Sequence, residues 1–173
     1  MIEQADRVRV ARMRNVGRDS GDVDGDGWFQ CEQGHRHWGR YGAAGLLVLA
    51  PGPYVLLQHR APWSHGGDTW GVPGGARGGH ESAEQTARRE TVEETGLDVD
   101  QLVLHGEHVA DHGTWSYTTF VALAPERLPV VADRESVDLR WVPLNDVEAL
   151  PLHAAFADAW PALQRLLPAD RPV

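Results

Sequence analysis

Three glutamates fall within about one predicted helical turn near the middle of the chain, in the stretch RRETVEETGL at residues 88–97. They are Glu90, Glu93 and Glu94. Like charges three or four residues apart on a helix repel each other and destabilise it by roughly a few tenths of a kcal/mol. Bound divalent cations can offset that repulsion, and oxygen-only ligands suit Mg²⁺ or Mn²⁺ better than Zn²⁺. The spacing therefore indicates a divalent-metal site.

Two of these acids lie on the helix face that is expected to pack on the sheet, which indicates that they line a cleft. At about 100° per residue, a sector of roughly 60° contains Ala83, Ala87, Glu90 and Glu94. The two small residues predict close packing of this face on a sheet, and the same face becomes acidic in its second half. A surface helix turns its acids away from its apolar stripe. A solvated acidic face paired with neighbouring arginines is the alternative, but the acids lie on the wrong side for it.

A glycine-rich loop precedes this helix. The stretch GVPGGARGGHE, residues 71–81, contains five glycines and one proline. Glycine lets the backbone approach a ligand closely, and carbonyls of such a loop can bind a metal ion. The loop alone is weak evidence for a site, but beside the acidic helix it strengthens the prediction.

Loop and helix together match a known family motif. From Gly75 to Leu97 the chain resembles the Nudix box: Gly, five residues, Glu, seven residues, Arg-Glu, an apolar residue, any residue, Glu-Glu, any residue, Gly and an apolar residue. The matching positions are Gly75, Glu81, Arg89, Glu90, Glu93, Glu94, Gly96 and Leu97. Thr91 stands where an aliphatic residue is usual, and Gly78 and His80 stand where relatives often have an acid and a glycine.

This resemblance implies both fold and chemistry. Nudix hydrolases are α/β/α sandwiches with a mixed β-sheet packed between helices, and they hydrolyse a nucleoside diphosphate linked to another group X. Water attacks a phosphorus of the diphosphate while divalent cations neutralise its oxygens. On this chain the resemblance implies that Arg89 orients the acids by paired hydrogen bonds. The implied Mg²⁺ or Mn²⁺ ligands are the Gly74 carbonyl, Glu90, Glu93 and Glu94.

The attacking water needs a base, which the resemblance assigns to Glu90 or to an acid from a later loop. That loop often lies shortly before a strand containing a tryptophan. Here ADRESVDLRWVPL places Glu135 ahead of Trp141, and we predict that Glu135 completes the site. Glu107 and Asp111 are the alternatives, because HGEHVADHG can border the same cleft.

Substrate contacts are predicted from residue type and position. All sixteen basic residues are arginines, so an arginine must supply any phosphate clamp, and Arg60 is the candidate. Gly75 lies in the loop beside the acids. Among the aromatic residues Trp70 is best placed to stack on a base or sugar, because it adjoins GVPGG. The other aromatic candidates are Trp63, His65, Trp115 and Tyr117.

Strands and a second helix are predicted around this site. GAAGLLVLA and YVLLQHR form a hairpin across a Pro-Gly-Pro turn, and TWGVPGG is a third short strand. The helix over 82–95 begins with a capping box formed by Ser82 and Gln85 and stops at Gly96. QLVLHGEHVA, WSYTTFVALA and SVDLRWVPL are further strands. A closing amphipathic helix is expected to kink or restart at Pro161.

Length and composition predict one Nudix domain over 28–168, an N-terminal arm over 1–27 and a tail over 169–173. The net charge of −9 argues against binding duplex nucleic acid. No apolar run approaches the roughly 20 residues of a membrane span. Cys31 is the only cysteine, which with the lack of a secretory signal fits a reducing cytoplasm. We predict a cytoplasmic monomer or homodimer whose partner is a small nucleotide.

Two further metal motifs are weaker. DVDGDGWFQCEQ resembles a calcium loop but has Gln33 where a bidentate glutamate is needed, so a polar turn is favoured. CEQGHRHW offers Cys31, His35 and His37, but a structural zinc site needs four ligands. An ordinary strand and turn is the favoured interpretation there. The histidines His105, His108 and His112 reach the cleft or lie on a solvated strand, and the sequence leaves both open.

Two other functions compete with hydrolysis. A Nudix-like domain can bind a nucleotide without cleaving it, although such a domain has little need for all three of Glu90, Glu93 and Glu94. An isoprenoid diphosphate isomerase needs a catalytic cysteine within the fold, and Cys31 lies before the first predicted core strand.

Overall fold

The structure is a computed structural model that describes residues 25–169. The arginine-rich arm up to residue 24, two aspartates of the candidate calcium loop (Asp22 and Asp24) and residues 170–173 lie outside the described residues. The division into arm, domain and tail therefore stays a proposal.

A mixed sheet of seven strands lies at the centre of the described chain. A separate two-stranded hairpin precedes it, made of β1 (Trp28–Gln30) and β2 (Arg36–Trp38). The strands of the central sheet are β3 (Ala43–Ala50), β4 (Tyr54–Arg60), β5 (Trp70–Gly71), β6 (Gly74–Ala76), β7 (Val103–Asp111), β8 (Ser116–Leu123) and β9 (Ser136–Pro143).

The order of the sheet is β5-β4-β3-β8-β7, with β6 paired to β3 and β9 paired to β4. Only the β3–β8 pair is parallel among the pairings of the described strands. The predicted hairpin of β3 and β4 is confirmed, but its two strands pair directly only next to the turn. Away from the turn, β3 pairs with β6 and β4 pairs with β5, while β9 pairs with β4 along its whole length. The strands β3 and β4 therefore separate at the end of the sheet where β6, in the glycine-rich loop, pairs with β3.

The segment TWGVPGG forms two short strands, where the sequence predicted one. β5 pairs with β4, whereas β6 pairs with β3. The chain changes its partner at 72–73, where Pro73 has no N–H to donate to a ladder. This break directs the loop after β6 towards the acidic helix.

Two helices cover the sheet: α1 (Ala83–Thr95) on one face and α2 (Ala154–Leu166) on the other. Every residue of β3 is buried because both faces of the strand are covered. With a side-chain period of two, Leu46 packs in the core that includes Ala87 of α1. Leu47 packs in the core that includes Trp160 of α2. This arrangement confirms the predicted α/β/α sandwich.

Helix α1 has the ends that its sequence predicts. The Ser82 hydroxyl accepts a bond from the Gln85 N–H (3.1 Å), and the Gln85 side chain accepts one from the Ser82 N–H (2.8 Å). Gly96 ends the helix in the left-handed conformation with φ of 63°. Thr91, the departure from the Nudix box, is fully buried, and its hydroxyl donates to the Ala87 carbonyl at 2.7 Å.

Helix α2 runs through Pro161 as one element, so no new helix starts there. Its buried residues are Phe156, Trp160 and Leu163, which follow the predicted apolar side. Among residues 25–169 no helix combines the length and the apolar character needed to cross a membrane.

Candidate active site

A cleft of about 880 Å³ lies where the second half of α1, the glycine-rich loop and the segment before β9 meet. Five glutamates line it: Glu81, Glu90, Glu93, Glu94 and Glu135. All five are among the site residues expected from the sequence, and the fold brings them to one cavity. Arg60 and Gly75 line the same cleft, as predicted for substrate contacts.

Arg89 ties three of these acids together. Its Nε and Nη2 donate to the two oxygens of Glu81 at 2.6 and 2.9 Å. Its Nη1 donates to Glu90 (2.7 Å) and to Glu93 (3.2 Å). The hydrogen bonds from Arg89 are the main reason why the pKa of Glu81 falls to about 2. Glu81 therefore stays ionised and anchors the arginine that orients the other two acids.

Glu81 also joins the loop to the helix. Its carboxylate accepts bonds from the Gly78 N–H at 3.0 Å and from the Thr86 hydroxyl at 2.9 Å. Arg89 adds a bond from Nη2 to the Ala76 carbonyl at 3.2 Å. These contacts hold β6 and the following loop against α1. They therefore fix the position of the Gly75 backbone beside the acids.

Glu94 is the most buried acid of the cleft, with 4% of its surface exposed. Burial raises its pKa to about 7, and the charge of Glu90 adds to the increase. The Gly74 N–H, which donates to Glu94 at 2.8 Å, opposes the increase only in part. The pKa of Glu90 is also raised, first by burial, although Arg89 opposes this. A buried and a half-buried carboxylate with raised pKa values are a pair that a cation would stabilise.

The donor set fits a divalent metal ion. Glu90, Glu93 and Glu94 offer carboxylate oxygens, the ligands that Mg²⁺ and Mn²⁺ prefer. A Cβ on Gly75 would lie 2.5–2.6 Å from the Glu90 carboxylate. Only glycine therefore leaves that carboxylate room beside the loop. The Gly74 N–H is used by Glu94, and ligation by the Gly74 carbonyl stays a prediction.

Glu135 lies on the loop before β9, which the structure fixes firmly. The Asp133 carboxylate accepts bonds from the Glu135 N–H at 2.9 Å and from the Ser136 hydroxyl at 3.0 Å. The Asp133 N–H donates to the Glu94 carbonyl at 3.3 Å, and the Ala61 N–H donates to the Glu135 carbonyl at 2.8 Å. The loop is thereby held between the end of α1 and the segment after β4.

The position of Glu135 distinguishes it from the two alternatives. Glu135 and Glu90 line the same cavity, and the charge of Glu135 contributes to the raised pKa of Glu90. Glu107 and Asp111 are exposed residues of β7 and are not among the residues that line the cleft. The role of Glu135 is a prediction that this geometry favours.

Trp70 does not occupy the position predicted for a stacking residue. It is 4% exposed, belongs to the core under α2 and is absent from the cleft lining. Its ring stacks on His59 at 4.9 Å on a nearly parallel plane, and the Arg140 guanidinium lies 4.9 Å from the ring centroid. The short strand β5 turns this side chain inward, which argues against contact with a substrate.

Two other tryptophans, which were not predicted from the sequence as stacking residues, line the cleft. Trp28 and Trp38 are 49% and 39% exposed and line the cleft together with Trp63 and His65. The register of the β1–β2 hairpin pairs Trp28 with Trp38, so both point to one face. Their rings meet edge to face at 5.6 Å. The alternation in WFQ and RHW around the Gly34 turn was the signal that could have found them.

The comparisons with known proteins agree with this geometry. Residues 39–166 match the NUDIX domain family. The chain belongs to the Nudix hydrolase family. Over 160 residues it is 52% identical to a protein named putative 8-oxo-dGTP diphosphatase 3 from Mycobacterium tuberculosis, and the match covers 87% of this chain and 73% of the relative. The predicted family and hydrolase class are confirmed.

One solved structure supports the same assignment, and a second has the same fold. The crystal structure of the Nudix hydrolase RenU from M. smegmatis has 49% identity and a TM-score of 0.76, and the match covers 82% of this chain and 94% of that one. A bifunctional NMN adenylyltransferase/ADP ribose pyrophosphatase from Francisella tularensis has 20% identity and a TM-score of 0.63, covering 72% of this chain and 41% of that one. At that identity the second match shows the fold alone.

This Nudix protein is a hydrolase that acts on phosphoanhydride bonds of a nucleoside diphosphate linked to another group. Family membership also implies a divalent metal ion as cofactor. Cys31 lies outside the acidic cleft lining, which does not favour the isomerase alternative.

Proposed function

We propose that this enzyme is a Mg²⁺-dependent diphosphohydrolase of an oxidised purine nucleoside triphosphate, releasing a monophosphate and pyrophosphate. The observation that carries the proposal is the cleft lining, which combines half-buried Glu90 and buried Glu94 with exposed Trp28 and Trp38. The acids suit a metal-bound diphosphate, and the tryptophans suit an aromatic base. The substrate class follows the name of the M. tuberculosis relative.

Each group in the cleft has a proposed role. Glu90, Glu93, Glu94 and the Gly74 carbonyl hold Mg²⁺, with Mn²⁺ as a substitute. When bound, the ion neutralises charge on the phosphate oxygens and lowers the pKa of coordinated water. Glu135 accepts the proton of the attacking water. Besides these, Arg60 contacts the phosphates and the tryptophans stack on the base.

A substrate panel tests this function. Purified enzyme is incubated with 8-oxo-dGTP, dGTP, ADP-ribose, a nucleotide sugar and a dinucleoside polyphosphate, each with Mg²⁺, Mn²⁺ or a chelator. We expect the highest kcat/KM for 8-oxo-dGTP, release of pyrophosphate and no turnover with the chelator. Preference for ADP-ribose or a dinucleoside polyphosphate would move the proposal to that class. Tight binding of all compounds without turnover would favour a nucleotide-binding domain.

We also propose that the enzyme acts in the cytoplasm as a monomer or a homodimer. The single cysteine in 173 residues fits a reducing compartment. Sedimentation of the purified chain decides between the two oligomeric states.

Mg²⁺ is expected to raise the melting temperature more at pH 8 than at pH 5. Burial raises the Glu94 pKa from 4.5 to about 7, so the folded metal-free protein holds this proton more tightly than the unfolded chain does. The metal-free protein therefore has its full stability while Glu94 is protonated below pH 4.5, and it loses this stabilisation as the pH rises through 7. Mg²⁺ at roughly a hundred times its Kd restores about 2.7 kcal/mol. Thermal melts with and without Mg²⁺ at both pH values measure this effect.

The matched control for these melts is Glu84→Gln, because Glu84 lies on α1 but pairs with Arg88 outside the cleft. It should keep the Mg²⁺ shift. A melting temperature unchanged by millimolar Mg²⁺ and Mn²⁺ at pH 8 would contradict a metal site that assembles without substrate.

Trp38→Ala is expected to raise KM about tenfold and to change kcat little, because stacking of a base on an aromatic ring contributes about 1–3 kcal/mol to binding. Steady-state kinetics on the best substrate of the panel measures both constants. Tyr41→Ala is the control, since Tyr41 is also exposed but does not line the cleft. Equal KM values for the two variants would remove Trp38 from the substrate site.

A further inference from the structure

Four side chains with sulfur or nitrogen donors converge outside the acidic cleft. They are Cys31, His35, His37 and His112, and one potential ligand atom from each lies within 4.8 Å of all the others. The sequence motif CEQGHRHW supplied only three of them. The fourth, His112, follows β7 and reaches the group through the tertiary fold. A thiolate with three imidazoles completes the four-ligand set of a closed zinc site.

The backbone already holds the three sequence-local donors in place. Cys31 and His35 flank a tight turn in which the Cys31 N–H donates to the His35 carbonyl at 3.0 Å and the Gly34 N–H donates to the Cys31 carbonyl at 2.9 Å. Gly34 has a φ of 83°, which an L side chain rarely adopts. His37 follows on β2. The turn therefore directs Cys31 and His35 to the same side as His37 without requiring a metal ion to form.

His112 approaches from a second turn that is equally defined. Its N–H donates to the Trp115 carbonyl at 2.8 Å in the β7–β8 connection. Nδ1 of His112 lies 3.4 Å from Nδ1 of His35. Two nitrogens bound to one tetrahedral Zn²⁺ at about 2.05 Å would lie about 3.3 Å apart. This pair is therefore at ligand spacing, and the wider separations in the group close by small side-chain rotations.

His37 gives the second, independent observation. Its Nε2 is buried and has no hydrogen-bond partner in the described structure. The imidazole is held face to face on Trp115, with ring centroids 3.9 Å apart, and the Trp115 indole N–H donates to the Gly39 carbonyl at 2.7 Å. A buried ring nitrogen without a partner is unfavourable, because it has lost water and gained nothing. A bound metal ion would require the neutral histidine that such an environment favours.

We propose that this group binds one Zn²⁺ as a structural site, distinct from the carboxylate site of the cleft. Sulfur and imidazole ligands favour zinc over Mg²⁺, whereas the oxygen ligands of α1 favour the reverse. The site joins the β1–β2 hairpin to the β7–β8 turn. A two-stranded hairpin is marginally stable by itself, and a bound ion would add to the packing on Trp115 that already holds this one.

The two faces of the hairpin explain what the anchor does. Phe29 and His37 pair on the inner face, next to the small core of Cys31 and Trp115. Trp28 and Trp38 pair on the other face and line the cleft. Zinc on the inner face therefore fixes the positions of Trp28 and Trp38 on the outer face. It does so without contacting the acids of the cleft.

Metal analysis of the full chain tests the proposal. Protein purified without chelators, in buffer with excess Mg²⁺ to occupy the carboxylate site, is expected to contain one zinc per chain by mass spectrometry of the metal. Cys31→Ser and His112→Ala should each lose it. His105→Ala is the matched control, since His105 is an exposed histidine of β7 outside the group. It should retain the zinc.

Cobalt substitution identifies the ligands independently of activity. Chelated protein reloaded with Co²⁺ should show the visible bands of tetrahedral Co²⁺ and a thiolate-to-cobalt absorption that Cys31→Ser removes. If Cys31→Ser does not fold, His35→Ala replaces it, because His35 is exposed. Zinc should raise the melting temperature of the wild type by several degrees and that of His35→Ala less. Protein that neither contains nor takes up zinc, or zinc retained by both Cys31→Ser and His112→Ala, would overturn the proposal.

Discussion

Replacing Glu94 with glutamine is expected to lower kcat at least about a hundredfold with saturating Mg²⁺, the scale of losing one electrostatic group from a preorganised site. Glu94 is the most deeply buried acid of the cleft, and its carboxylate receives the Gly74 N–H at 2.8 Å. The amide keeps that acceptor and the side-chain size but removes the charge that holds the metal ion. Turnover of the best panel substrate across Mg²⁺ concentrations measures the loss.

Two measurements separate this loss from unfolding. At pH 8 metal-free Glu94→Gln should melt at or above the temperature of the wild type, because a buried charge has been removed. It should also lose most of the Mg²⁺-dependent increase in melting temperature, whereas Glu84→Gln should behave as the wild type. Near wild-type turnover of Glu94→Gln would show that the metal site lies elsewhere.

Glu135→Gln is expected to lower kcat by about 10²–10⁴, the contribution typical of a general base. The Glu135 loop is fixed by Asp133, and its carboxylate shares the cleft with Glu90. The pH profile of the rate should change as well, because the group that takes the proton of the attacking water has been removed. The pH profile is measured with saturating Mg²⁺, so that the metal ligands remain ionised.

Glu107→Gln and Asp111→Asn are the controls for this variant. Both residues are exposed on β7 outside the cleft lining, so rate and pH profile should match those of the wild type. If Glu135→Gln keeps both while one of these variants loses them, the role of base moves to that residue.

These expectations also explain the repulsive acids of α1. Like charges on one helical turn destabilise the free helix, but Arg89 joins Glu81, Glu90 and Glu93 by hydrogen bonds. Glu94 remains without an arginine hydrogen-bonded to it in the described chain and carries the raised pKa. Arg89 therefore offsets the repulsion at Glu90 and Glu93 of α1, and we expect a bound cation to do so at Glu94.

The sequence by itself determined the local parts of this enzyme. The capping box at Ser82, the stop at Gly96 and the inward face with Glu90 and Glu94 all follow from helical periodicity and cap chemistry, which depend on neighbours a few residues away. The Nudix box occupies one loop and one helix for the same reason. The alternation of β3 side chains between the two cores likewise follows from the strand period.

Only the tertiary structure decided contacts between segments distant in the chain. Pairing of β5 with β4 turned Trp70 into the core, while the β1–β2 register turned Trp28 and Trp38 to the cleft. The loop before β9, and not strand β7, reached the acids of α1. The β7–β8 turn brought His112 to His35 across 77 residues. The spacing of residues in the sequence does not predict the distances between these segments, because strand order and register depend on packing of the whole sheet.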